Sequence, residues 1–162
     1  MPLKYVKGDA TQPEGEGPKV IVHCCNNLGR WGAGFTAHLS KRWPSLKAAY
    51  VAWYKRQSGS GEVTAPMGLG EVQFVKVEDD LWVANLIGQH GVGMGSDGRP
   101  PIRYEGIKKG LAHVCRFAGI HGTSIHMPKM GAGLAGGHWG NVEQLVKNEL
   151  CNRGLEVTVY EL

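Results

Sequence analysis

A chain of 162 residues, 42% hydrophobic and 20% charged, is long enough to bury a sizeable core and too apolar to be a disordered segment. Its net charge of +4 comes from dispersed Lys and Arg, not from an arginine-rich stripe interleaved with aromatics, so composition gives no case for nucleic-acid binding. No apolar run reaches transmembrane length and "MPLKYVKGD" lacks the apolar centre of a signal peptide, so a cytoplasmic, non-membrane protein is expected, with a monomer as the composition-level default.

In chain order, "LKYVKGD" reads as a short strand ending at Gly8-Asp9, and "ATQPEGEGP" as a polar turn. "KVIVHCC" is almost continuously apolar, the pattern of a strand buried on both faces. "AGFTAHLSKRWP" predicts a helix stopped before Pro44, and Ser45 is the expected cap of the next one, "SLKAAYVAWYKRQ". "GEVQFVKVEDDLWVANLIG" alternates on both sides of "EDD" and predicts a hairpin. A glycine-rich loop, "QHGVGMGSDGRPPI", precedes a helix in "RYEGIKKGLAHVCRFAG" that aligns Ile107, Leu111, Val114 and Ala118 on one face. "SIHMPKM" is a strand and "GAGLAGGHWG" a second glycine loop. "NVEQLVKNELCNRG" is a helix with Asn141 as its expected cap and Gly154 as its stop. "LEVTVYEL" closes as a strand that is internal or well tied down. Strands alternating with helices outside one hairpin predict a single α/β domain over 1–162, three layers deep, with a mixed sheet of about six strands.

Cys24, Cys25, Cys115 and Cys151 form no CxxC pair, and adjacent cysteines on a strand point apart. Disulfide scaffolding and a zinc site are therefore poorly supported, buried free thiols are the expectation, and no metal is assigned. The more informative pattern is a strand running into a small-residue loop and a helix, twice: "VIVHCC" into "NNLGRWGAG", and "SIHMPKM" into "GAGLAGG". Ligands of open α/β sheets bind outside the carboxyl ends of strands, where backbone N–H groups of such loops can hold a diphosphate. Neither loop fits a P-loop or a GxGxxG fingerprint.

These segments resemble a macro domain, the ADP-ribose-binding fold, and most of all the small branch of terminal ADP-ribose protein glycohydrolases and ADP-ribose 1''-phosphate phosphatases. The resemblance rests on "YVKGDA", "VIVHCCNNLGRWGAGF", "ANLIGQ", "RYEGIKKGL", "MPKMGAGLAGGHW" and "VTVYEL", which occur in family order along essentially the whole chain. It implies an α/β/α macro domain that takes ADP-ribose as ligand and needs no further cofactor. Asp9 would accept from the adenine amino group, with Ala10 beside it. Gly32, Ala33 and Gly34 would hold the distal ribose and diphosphate from one side. Gly131, Ala132, Gly133, Leu134 and Ala135 would cradle the diphosphate from the other. Asn26 and Asn27 would approach the distal ribose.

The glycohydrolases of that branch use a lysine and an aspartate, and the matching positions here hold Gln89 and Ala135. A lysine adduct cannot form, so hydrolysis would instead position water with help from a ligand phosphate. Asn27, Asn26 and His23 are the catalytic candidates. Each has an ordinary structural alternative: loop turning for the asparagines, a backbone-bonded core residue for the histidine. His90 could reach the ribose only if its loop folds over the cleft. Arg103 is read as fixing its neighbours at a helix start. Tyr104 and Tyr160 are alternative aromatics for the adenine end. The functional expectation is a hydrolase freeing ADP-ribose from acidic side chains of modified proteins by cleaving the ester at ribose C1''. The alternatives are an ADP-ribose 1''-phosphate phosphatase and a non-catalytic ADP-ribose reader. The expected partners are ADP-ribosylated proteins or ADP-ribose derivatives.

Overall fold

The structure is a computed structural model that describes residues 2–32, 34–57, 67–92, 95, 98–131 and 136–162. The elements are β1 (Leu3–Lys7), β2 (Lys19–Asn26), α1 (Phe35–Arg42), α2 (Ser45–Gln57), β3 (Val72–Glu78), β4 (Leu81–Gln89), α3 (Tyr104–His121), β5 (Ser124–Pro128), α4 (Trp139–Glu149) and β6 (Val157–Glu161). They build one six-stranded sheet in the order β1-β6-β5-β2-β4-β3. Every neighbouring pair is parallel except the β3–β4 hairpin, so the sheet is mixed, as the alternation of elements predicts. The hairpin turns at Asp79-Asp80, where Asp80 takes a left-handed φ of 57°, a conformation Asp tolerates better than most residues.

The period of two in β2 explains why it reads as uniformly apolar. Val20 and Val22 join the core on the α3/α4 face, whereas Ile21 and Cys25 join the core on the α1/α2 face. Ile107, Leu111, Val114 and Ala118 are all buried, as their helical spacing predicts. Gly110 lets α3 press on β4, because a Cβ there would collide with the Leu86 side chain. The final strand is indeed internal, held between β1 and β5.

Two expected caps are not seen. Ser45 is itself the first helical residue of α2 and not the residue before it. α4 starts at Trp139, two positions before the expected cap, and its N-cap His138 gives no side-chain hydrogen bond. Asn141 donates to the Tyr104 hydroxyl at 3.3 Å instead. The same helix ends at Glu149, and a 3-10 turn at Cys151–Arg153 carries the chain to the left-handed Gly154, φ 82°. No described helix is long and apolar enough to cross a membrane.

Candidate functional site

The carboxyl ends of the parallel strands share one edge of the sheet, and two adjoining cavities open there. The larger, about 640 Å³, is lined by residues from β2 and its following turn, the start of α1, Gln89, Val92 and the segment Pro128–Gly131. The smaller, about 450 Å³, is lined by Lys7 to Ala10, Phe35, His38, Tyr160 and their neighbours. Phe35, Pro128 and Lys129 line both, so the two cavities form one cleft with Asp9 at one end and Gln89 at the other.

At the Asp9 end, the carboxylate Oδ1 accepts from the Thr11 N–H and hydroxyl, both at 2.8 Å. Both described bonds use that one oxygen, leaving Oδ2 for a ligand. Burial pushes the carboxyl pKa up, but the Thr11 bonds, aided by the charges of His38 and Arg42, bring it below its ordinary value. Asp9 is therefore ionised at neutral pH and can only accept. Ala10 is buried beside it. Of the two tyrosines, Tyr160 lines this end, whereas Tyr104 lies behind, bonded by the His138 N–H at 3.0 Å. The Tyr160 hydroxyl accepts from the Glu14 N–H at 2.9 Å and is hydrogen-bonded to His126 Nδ1 at 2.7 Å. Two buried side chains thereby fasten the 9–18 loop to the sheet.

At the other end, Asn26 organises the turn after β2. Its Oδ1 accepts from Leu28 N at 2.9 Å, Arg30 N at 3.2 Å and the Tyr50 hydroxyl at 3.1 Å, and its Nδ2 donates to the Arg30 carbonyl at 2.6 Å. A register shift after Cys25 brings Asn26 opposite Gln89, whose Nε2 donates to Gly91 O at 3.2 Å. Gln89 offers no amine nucleophile. Asn27 is buried and does not line the cleft. Its Oδ1 accepts from Gly91 N at 2.9 Å, so Nδ2 faces His90 Nδ1 at 3.0 Å and fixes the ring proton of His90 on Nε2. The asparagine thus ties the β4 exit to the β2 turn.

Gly32, Gly34 and Gly131 all line the larger cavity. Gly34 at φ 70° immediately precedes α1, and Gly131 at φ 83° sits where a Cβ would press on Ile102 and Val142. Ala33, Ala132, Gly133, Leu134 and Ala135 lie outside the described residues. Phe35, which joins the two cavities, was not singled out by sequence reasoning; a phenylalanine at a helix start carries no signal of that position.

His23 lines the cavity but is only 2% exposed, wedged between the Trp31 and Phe35 rings. Its Nε2 donates to Asn85 Oδ1, the partner directly across the β2–β4 ladder. Burial lowers its pKa to about 4, against a smaller opposing effect of the Asn85 bond, so the imidazole is neutral at neutral pH. Burial likewise raises the Cys24 thiol to about 12 and the Cys25 thiol well above its ordinary value. Neither supplies a thiolate nucleophile. No group of three His, Cys, Asp or Glu able to hold a metal occurs among the described residues. Arg103 is buried and bonds the Pro100 and Ile102 carbonyls, bracing the start of α3 as expected.

A histidine buried neutral makes folding acid-sensitive. The unfolded ring takes up a proton near its ordinary 6.5 and the folded ring near 4, so the stability present above pH 6.5 is lost as pH falls towards 4. For His23 this loss is about 2 kcal/mol by pH 5. His23→Gln, which retains a donor for Asn85, will flatten the pH dependence of the urea midpoint between pH 7 and 4.5 by about that amount. An unchanged slope would reject the assignment. His126, also lowered to about 4 chiefly by burial, keeps its own contribution in both proteins.

No family model matches the chain. Among curated relatives, the mouse Chromodomain-helicase-DNA-binding protein 1-like is 30% identical over 98% of this chain, which spans only 17% of that protein; its zebrafish counterpart is spanned over 15%. The ADP-ribose 1''-phosphate phosphatase of Meyerozyma guilliermondii is 26% identical, with 90% of this chain and 92% of the phosphatase covered. The DNA ADP-ribosyl glycohydrolase of Thermus aquaticus is 29% identical over 98% of this chain and 41% of its own length. Among solved structures, a protein of unknown function from Bacteroides thetaiotaomicron is 50% identical, with a TM-score of 0.93 and coverage of 100% and 99%. A macrodomain protein from Streptomyces coelicolor is 45% identical over 99% of both chains, with a TM-score of 0.84. With that identity sustained along both whole chains, and the same fold, this chain belongs to the macrodomain family.

Proposed function

We propose that this chain binds ADP-ribose along the cleft and hydrolyses the phosphate ester of ADP-ribose 1''-phosphate. The observation that carries the reading is the continuity of the two cavities across the strand ends, with an ionised acceptor at one end and glycine turns along the larger cavity. An extended dinucleotide-like ligand fits that order of groups. The adenine amino group gives a hydrogen bond to Asp9 Oδ2, the diphosphate crosses the middle near Gly34 and Gly131, and the distal ribose lies by Asn26 and Gln89. Hydrolysis adds water to phosphorus and breaks the P–O bond, so that ADP-ribose leaves as its 1''-hydroxyl and inorganic phosphate is released.

The pairing with a yeast ADP-ribose 1''-phosphate phosphatase over nearly the full length of both chains supports this reaction better than the protein-ester hydrolysis expected from the sequence. The cleft also lacks the lysine that such ester chemistry uses in the resembling branch, since Gln89 stands there and its amide is bonded to the Gly91 carbonyl.

Purified protein will bind ADP-ribose in calorimetry and release phosphate from ADP-ribose 1''-phosphate, and Asp9→Ala will weaken ADP-ribose binding at least about tenfold, the loss of one charge-assisted hydrogen bond. Binding without phosphate release would remove the phosphatase reading. Release of ADP-ribose from glutamate- or aspartate-modified protein would restore the ester hydrolase, and neither reaction would leave a reader. Unchanged affinity in Asp9→Ala would reject the orientation of the ligand.

A further inference from the structure

We infer that Arg30 is the specificity-determining residue for a terminal phosphate at the distal end of the cleft, making the site select a phosphomonoester of the distal ribose over ADP-ribose itself. The inference rests on the ligand orientation proposed above and deepens it.

Among the described residues, the cationic side chains lining the larger cavity are Arg30 and Lys129. They are differently committed. Lys129 lies at the middle of the cleft, lines both cavities and is ion-paired with Glu161. Arg30 lines only the cavity away from Asp9, is exposed, and has no ion pair among the described residues. Its backbone is nevertheless fixed. Asn26 holds the Arg30 N–H at 3.2 Å and the Arg30 carbonyl at 2.6 Å, so the peptide on either side is clamped while the side chain stays in solvent at the cavity wall. A fixed Cα with an uncommitted guanidinium suits a ligand that brings its own counter-charge.

The surroundings set the sign of that ligand. The described lining of the larger cavity contains no aspartate and no glutamate, so a dianion placed there meets no repulsion from the wall. The other side chains of this cavity, Trp31, Phe35, Gln89 and Val92 among them, are uncharged, and His23 is neutral. A planar guanidinium can give two parallel N–H bonds to phosphate oxygens, which a hydroxyl group cannot use in the same way. Removing it should therefore cost the phosphomonoester far more than free ADP-ribose, whose diphosphate lies nearer the glycine turns.

The test compares wild type, Arg30→Gln and Arg30→Lys by equilibrium binding of ADP-ribose and by phosphate release from ADP-ribose 1''-phosphate, with thermal melting as the folding control. The expected result is a KM for the 1''-phosphate raised tenfold or more in Arg30→Gln, an ADP-ribose Kd changed less than twofold, an intermediate KM in Arg30→Lys and unaltered melting. An unchanged KM, or equal losses for both ligands, overturns the inference. If wild type binds ADP-ribose but releases no phosphate, the phosphatase reading fails separately. The intact 1''-phosphate is then titrated directly, and the same selective loss in Arg30→Gln upholds the assignment while its absence overturns it. A wild type that binds neither ligand rejects both readings.

Discussion

Asn26→Ala will lower the stability of the protein by about 3 kcal/mol and weaken ADP-ribose binding about 100-fold, roughly 2.7 kcal/mol. The residue is buried, and its amide makes four hydrogen bonds: three accepted by Oδ1 and one donated by Nδ2. Alanine would leave the Leu28 and Arg30 N–H groups and the Arg30 carbonyl to find water or go unpaired. The Tyr50 hydroxyl would keep its bond to the Asn26 carbonyl at 2.6 Å, so the strand end itself should persist. The loss is therefore local to the turn that forms one wall of the cleft. Asn26→Asp separates the two effects. It preserves the acceptor for three donors but sets a second carboxylate oxygen against the Arg30 carbonyl, so it should cost less stability than alanine and still impair binding. Urea denaturation and calorimetry read the two quantities. Wild-type affinity in Asn26→Ala would show that the ligand does not depend on this turn.

Gly137→Ala is the second large effect, acting from the opposite wall. The Gly137 N–H donates at 3.0 Å to the carbonyl of Gly131, a residue that lines the cavity. A Cβ on Gly137 would strike that same carbonyl oxygen and the Ile102 side chain. A carbonyl held in a turn cannot yield as a flexible side chain can, so the hydrogen bond must open. The cost is about 1–3 kcal/mol of overpacking, with ADP-ribose affinity falling about 30-fold, near 2 kcal/mol. Gly140→Ala is the matched control. It lies in α4 with nothing within 4 Å of the added methyl, and alanine favours the helix. It should melt no lower than wild type and bind normally. Equal behaviour of the two variants would exclude the steric argument.

What could be seen in the sequence follows from the physics of each signal. The apolar run of β2, the alternation of β3 and β4 and the four aligned residues of α3 report burial, and burial is written directly in residue type. Caps are written more weakly. Asn141 has the right chemistry for a helix start, but Tyr104 presents a hydroxyl that its amide can bond three residues into α4. The site residues divide in the same way. Asp9, Gly32, Gly34 and Gly131 line the cleft, in keeping with glycine turns at the ends of strands. The pairing of Asn27 with His90 and of His126 with Tyr160 joins residues 63 and 34 positions apart, and no local pattern encodes such a bond. Phe35 joins the two cavities only because α1 starts where the β2 turn ends.

The placement of β6 between β1 and β5 bears on how the molecule is made. During synthesis β2, β4 and β5 can assemble with their helices while the chain is still emerging, but β1 pairs with β6 alone. The strand that leads into Asp9 thus has no sheet partner until residues 157–161 leave the ribosome, and the Tyr160 anchor of the 9–18 loop arrives in the same step. The Asp9 end of the cleft is consequently the last part of this fold to form, through the contact of widest sequence separation in the sheet. A nascent chain stalled before β6 should retain the glycine-turn half of the site and fail to bind nucleotide.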